Sequence, residues 1–95
     1  MKFSCKYTQA LFENGQCCRK KVPVSIQKAA LKRLYMLNAS KSIQDLETPP
    51  GNCLKKLQGS RSDEWSIRIN MQWRLCFIWD DTKSSPRDIK IEDYH

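Results

Sequence analysis

Apolar residues in this chain follow two different spacings, and the spacing changes along its length. Lys2 to Tyr7 alternates, with Phe3, Cys5 and Tyr7 at every second position, which is the period of a strand. Thr8 then stands where a helix cap would, Leu11 and Phe12 give a short helix its apolar side, and Gly15 after Asn14 supplies a stop. Gly15 to Val22 reads as a connector. From Pro23 and Ser25 onward the spacing lengthens. Ile26, Ala30, Leu34 and Leu37 recur three and four apart, predicting a helix down to Asn38 or Ala39 with Lys28, Lys32 and Arg33 on its wet side. Ser40 to Glu47 predicts one further helical turn around Ile43 and Leu46, broken by Thr48-Pro49-Pro50-Gly51-Asn52.

Beyond that break the pattern is extended. Leu54 to Leu57 predicts a short strand, and Gly59 to Glu64 a loop carrying Arg61. Trp65-Ser66-Ile67-Arg68-Ile69 alternates strictly, which sends Trp65, Ile67 and Ile69 to the core and Ser66 and Arg68 to the opposite face. Asn70-Met71-Gln72 is a hairpin turn, with Asn70 able to take a left-handed conformation. Trp73 to Trp79 is apolar on both faces except at Arg74, as in a central strand. Trp65, Trp73 and Trp79 share parity with apolar neighbours and read as core. Asp80 to Arg87 is a polar loop with Ser84-Ser85-Pro86 at its tip, and Asp88 to Tyr94 is the closing strand. There Ile89 and Ile91 stand two apart, and Asp93 and His95 continue their parity. Helices first and hairpins afterwards predict an α+β fold in which the helices cover one face of an antiparallel meander and leave the other for function.

Composition narrows the class. Ninety-five residues make one small domain, able to bury roughly two-thirds of the surface its unfolded chain exposes. Hydrophobic residues at 40% against 28% charged exclude a disordered chain. The net charge of +7 calls for a polyanionic partner, an acidic protein partner, or both. On the connector (Arg19, Lys20, Lys21) and along the second helix, the same charges are equally the ordinary solvated face of a globular protein. No apolar run reaches the roughly 18 residues of a membrane helix, so a cytoplasmic protein without membrane contact is expected. Five cysteines follow no C-x2-C pattern, and with one histidine they form a poor zinc ligand set. Cys76 lies in an apolar run and is expected in the core; Cys17-Cys18 is expected in a turn, with a redox role as the alternative.

Charge and parity converge on the uncovered sheet face. If Arg74 shares it with Arg68, and Lys55 or Lys56 projects from the neighbouring strand, that face is a cationic shallow cleft beside the terminal segment. A phosphodiester has anionic oxygens to neutralise, a 2'-hydroxyl to deprotonate and a leaving 5'-oxygen to protonate. Lys, Arg, Tyr and His supply those functions without a metal or other cofactor. An exposed aromatic such as Tyr94 can also stack on an unpaired base.

These residues also carry a family resemblance. Leu11-Phe12-Glu13-x-Gly15, Leu57-x-Gly59-x-Arg61, Trp65-Ser66-Ile67, Trp73-Arg74-Leu75-x-Phe77 and the closing Glu92-Asp93-Tyr94-His95 together resemble the HigB toxins of the RelE/ParE superfamily. The match spans nearly the whole chain. It implies a RelE-like α+β domain over residues 1–95, ribosome-dependent cleavage of messenger RNA with ribosomal RNA contacts, and a HigA-like helix-turn-helix antitoxin. DNA would be met only through that antitoxin. It assigns catalytic positions to Asp93, Tyr94, His95 and Arg74. The family often has a histidine where this chain has Lys55 and a lysine where it has Gln58. Lys55 keeps a proton donor and a fixed positive charge, whereas Gln58 keeps only a hydrogen-bond donor. On this reading His95 is the general acid or base, Arg74 and Lys55 neutralise developing charge, Tyr94 stacks on a base, and Asp93 orients its neighbours. Arg61, Lys56, Arg68 and Gln58 contact the RNA. Two other readings are a ParE-like toxin acting on DNA gyrase, and a catalytically weakened RNA- or protein-binding member of the same fold.

Overall fold

Helix α1, Lys6–Asn14, begins at Cys5 and closes on Gly15, whose φ of 80° lets its backbone N–H turn back to the Leu11 carbonyl. A left-handed residue at this position is easy for glycine and strained for others. Helix α2, Val24–Ala39, buries Ile26, Ala30, Leu34 and Leu37, the stripe that the three- and four-residue spacing predicts. The next turn, Ile43–Glu47, is a 3-10 helix. The Ser42 side chain and backbone exchange hydrogen bonds with the Asp45 backbone and side chain, satisfying two amides that would otherwise be orphaned at the helix start. The Pro-Pro-Gly break contains a second 3-10 turn, Pro50–Asn52, and a third covers Gly59–Arg61.

Four strands follow: β1 (Lys55–Lys56), β2 (Glu64–Arg68), β3 (Trp73–Asp80) and β4 (Ser85–Asp93). They form an antiparallel meander in the order β1-β2-β3-β4. This computed structural model describes residues 1–93, so Tyr94 and His95 lie outside the described residues. The helices pack on one sheet face, where Leu11, Ile26, Leu34 and Leu37 meet Ile67, Leu75, Phe77 and Ile89, with Trp65, Trp73 and Trp79 around them. The architecture is the expected α+β layering, with the second face uncovered.

Four local features differ from the sequence expectation. The N-terminal strand contracts to one parallel bridge, Phe3 to Ile89, because α1 starts at Lys6 and takes the residues that would have extended it. Thr8 is not the cap: it lies fully buried inside α1, where its hydroxyl accepts a hydrogen bond from the Ile91 amide at 2.9 Å. Asn70 does not turn left-handed; its carboxamide oxygen accepts from the amides of Gln72 and Trp73, each at 2.8 Å, and holds the hairpin that way. Strand β4 starts at Ser85, inside the expected loop, because a bulge absorbs one extra residue between the pairs Cys76–Lys90 and Ile78–Arg87. Asp88, at φ 51°, lies in it. One added residue inverts the side-chain parity, so Pro86 and Ile89 both turn to the buried side.

The buried link from Thr8 to Ile91 gives a first measurable consequence. Thr8→Val keeps the side-chain shape but leaves the Ile91 amide without its acceptor, an expected loss of about 1–3 kcal/mol. The urea midpoint should fall with an unchanged slope, and an unmoved midpoint would show that this contact adds nothing to stability.

Candidate active site on the open sheet face

Strand register determines which polar residues share the uncovered face. Arg68 pairs with Arg74, and Arg74 with Glu92; Lys55 pairs with Ser66, Ser66 with Cys76, and Cys76 with Lys90. Two cross-strand rows therefore lie side by side on that face, since residues opposite each other in a ladder point the same way. Lys55 is the lysine that joins Arg74. Lys56 takes the other parity, opposite Trp65, and its ammonium stands 5.2 Å from the Trp65 ring centroid. It is not part of the cluster. The sequence left this choice open because a two-residue strand carries too little alternation to show its phase.

Arg74 is held by the backbone around it. Its Nε donates to the Ser66 hydroxyl at 2.8 Å, and a terminal nitrogen donates to the Cys53 carbonyl at 2.5 Å. Cys53 closes the Pro50–Asn52 turn at φ 47°. Ser66 was expected to face away from the core, as it does, yet Arg74 covers it and it is fully buried. Cys76 is fully buried, as expected, and lies under this polar layer with its sulfur 4.0 Å from a Glu92 oxygen. Burial first, and then the Glu92 carboxylate, push its thiol up to about 11, so it stays neutral at physiological pH.

Arg61 meets carboxylates. Its Nε and one terminal nitrogen donate to the two oxygens of Glu64 at 2.8 and 3.0 Å, while the other terminal nitrogen reaches Glu92 at 2.7 Å. Lys90 joins them at 3.8 Å from Glu64 and 4.0 Å from Glu92. The hydrogen bonds from Arg61 hold the Glu64 carboxyl below the usual carboxylate range, and those from Glu64 and then Glu92 raise the Arg61 guanidinium further above its already high value. The two cations and two carboxylates of this network balance one another, and Lys55, Arg68 and Arg74 lie beside it on the same face.

Asp93 lies opposite Trp73, at the exposed end of β4, and both of its oxygens accept from the Gln72 carboxamide at 3.1 and 3.2 Å. Two depressions flank Arg74. One, of about 300 Å³, is lined by Lys55, Leu57, Gln58 and Arg61; the other, of about 330 Å³, by Cys53, Arg68, Asn70, Met71 and Arg74. The expected residues Lys55, Gln58, Arg61, Arg68 and Arg74 thus gather on one side of the sheet. Tyr94 and His95 are outside the described residues. Arg33, expected on the wet side of α2, instead donates its Nε to the Arg68 carbonyl at 2.9 Å and braces β2. Sequence reading also missed Glu64, Glu92 and Lys90 as parts of this face, because Arg61 reaches Glu92 31 residues away and Lys90 reaches Glu64 on another strand, and no periodicity reports such contacts.

A helix-covered antiparallel meander with a cationic outer face fits the architecture expected of a RelE-like toxin, and comparison with known proteins shows the class. Residues 1–95 match the family described as the RelE-like toxin of the type II toxin-antitoxin system HigB. The chain belongs to this HigB-like toxin family. It is 36% identical over 81 residues to Toxin HigB-1 of Vibrio cholerae serotype O1, covering 85% of this chain and 84% of that protein. An uncharacterized protein of Haemophilus influenzae is 31% identical over 81 residues, covering 85% and 79%. As a toxin of a type II system the protein has an antitoxin partner. Among the described residues, no helix is long and apolar enough to cross a membrane.

Proposed function

We propose that this toxin is a cytoplasmic, ribosome-dependent endoribonuclease that cuts messenger RNA without a cofactor and is neutralised by a HigA-like helix-turn-helix antitoxin. DNA is contacted only through that antitoxin. The observation that carries the reading is the grouping of Lys55, Arg68 and Arg74 on the open face, from two adjacent cross-strand rows, with Arg74 held in a fixed orientation by Ser66 and Cys53. Family membership adds the expectation of nuclease chemistry.

In the proposed reaction the ribose 2'-hydroxyl loses its proton and attacks the adjacent phosphorus. The bond from phosphorus to the 5'-oxygen breaks, and that oxygen takes up a proton, leaving a 2',3'-cyclic phosphate and a 5'-hydroxyl. Negative charge grows on the phosphoryl oxygens as the new bond forms. Fixed donors aimed at that charge are the largest single contribution such a site can make. Arg74 and Lys55 supply them, and Arg68 attracts the flanking backbone. Gln58, which lines the neighbouring depression, offers a neutral hydrogen bond. His95 moves the protons, Tyr94 stacks on a base, and Asp93 orients them.

Primer extension on cellular transcripts after induction tests this reading. Discrete cleavage points within translated regions are expected, and they should disappear when an adjacent helix-turn-helix gene is co-expressed. Growth arrest with intact transcripts and altered DNA supercoiling would replace the nuclease with a gyrase-directed toxin.

A further inference from the structure

The end of β4 is secured twice by side chains from distant parts of the chain. Strand β4 lies at the sheet edge and pairs with β3; among the described residues its outer side meets the bridge from Phe3 to Ile89 and the Thr8 hydroxyl at the Ile91 amide, and Glu92 and Asp93, beyond these, have ladder partners on the β3 side. Strand ends held on one side fray unless something else fastens them. Here Glu92 is held by Arg61, 31 residues away on the turn before β2, and Asp93 is held by Gln72, 21 residues away on the hairpin between β2 and β3. The two fastened residues are the pair directly before Tyr94 and His95 in the sequence.

We infer that Arg61 and Gln72 are positioning residues for the cleavage reaction, acting through Glu92 and Asp93 to fix the chain segment that delivers the terminal catalytic groups. The inference rests on the proposed nuclease function. Arg61 is therefore assigned a different role from the phosphate contact that its charge suggests. Three of its N–H groups are engaged by Glu64 and Glu92, and the four-residue network with Lys90 carries no net charge to offer an RNA strand. A guanidinium suits this task because its planar fork fixes two carboxylates in one geometry, which the single ammonium of lysine cannot do. Gln72 holds both oxygens of the Asp93 carboxylate through its neutral carboxamide and so presents the group in one orientation.

Single-turnover cleavage on ribosomes programmed with a defined message, together with amide hydrogen exchange of the free toxin, tests the inference. In Arg61→Ala, Arg61→Lys and Gln72→Ala the saturating rate constant should fall about 10- to 100-fold with half-saturation little changed, the pattern of misplaced reacting groups. Arg61→Lys keeps the charge, so an unchanged rate constant in that variant, or a raised half-saturation in Arg61→Ala alone, would restore Arg61 to phosphate binding and overturn the inference. Gln72→Ala should cost nothing further in an Asp93→Ala background, and a second full loss there would show that Gln72 acts elsewhere. Exchange at the amides of Ile91 to Asp93 should quicken in Arg61→Ala and Gln72→Ala. Unchanged exchange overturns the anchoring whether or not the protein is a nuclease. A wild-type chain that cuts no message, while exchange quickens in the variants, would remove the nuclease reading and leave the anchors in place.

Discussion

His95→Gln is expected to slow ribosome-dependent messenger cleavage by about 10²–10⁴-fold, the usual contribution of a positioned acid or base. The size of the effect follows from the lack of substitutes. The chain has one histidine, and the position where related toxins often carry another is Lys55. An imidazole, with an ordinary pKa of about 6.5, both takes and gives a proton near neutral pH. A lysine ammonium ordinarily titrates near 10.4, which makes lysine a poor substitute for a histidine base. Glutamine preserves size and a hydrogen bond, so binding should survive while the rate falls. The pH profile offers a second readout. A limb that follows histidine titration in the wild type should vanish in the variant. Cleavage at the wild-type rate by His95→Gln would take His95 out of the mechanism and move the proton transfers to another group.

Arg74→Ala should cost about 10²–10³-fold in the cleavage step, as loss of one preorganised donor to a developing oxyanion does. It should also destabilise the fold. Removing the guanidinium withdraws a donor from the buried Ser66 hydroxyl, and a buried group left unpaired costs about 1–3 kcal/mol, whereas the exposed Cys53 carbonyl can turn to water. The two effects separate in Arg74→Lys. Lysine restores the charge but not the fork that reaches Ser66 and Cys53 together, so binding should recover further than the rate. An Arg74→Ala protein with a native circular dichroism spectrum and undiminished cleavage would exclude Arg74 from the site.

The neutral network around Arg61 changes how a basic toxin surface is read. Counting cations on the open face gives Lys55, Arg61, Arg68, Arg74 and Lys90, yet Arg61 and Lys90 are cancelled by Glu64 and Glu92. In the proposed function the RNA strand therefore meets Lys55, Arg68 and Arg74 rather than Arg61. Among the described residues the depression at Arg68 and Arg74 is lined by no carboxylate, whereas Arg61, beside Lys55, is committed to Glu64 and Glu92.

Much of this was readable along the chain. The spacing of Ile26, Ala30, Leu34 and Leu37 sets the buried side of α2, because a helix has a fixed period and four apolar residues in phase define a face. The strict alternation from Trp65 to Ile69 likewise sets the two sides of β2, and a lone arginine between apolar neighbours marks Arg74 as exceptional. The family motifs add the terminal Asp93-Tyr94-His95. The misreadings share one cause. Thr8 looks like a cap because threonine often is one, and only the approach of β4 makes its hydroxyl a buried acceptor. The N-terminal alternation looks like a strand, but a helix beginning at Lys6 shortens it to one bridge.

The sequence by itself therefore determined the α+β layering, the buried helix face, the open sheet face and the cationic residue types gathered on it, since each depends on local periodicity or on motif. Only the tertiary structure decided that Lys55 and not Lys56 joins Arg74, that Ser66 and Cys53 orient it, and that Arg61 and Gln72 fasten Glu92 and Asp93. Those outcomes turn on strand register and on contacts between residues far apart in the chain. Register is set by the packing of the whole sheet against its helices, and one extra residue, as in the bulge at Asp88, reverses which side a side chain takes.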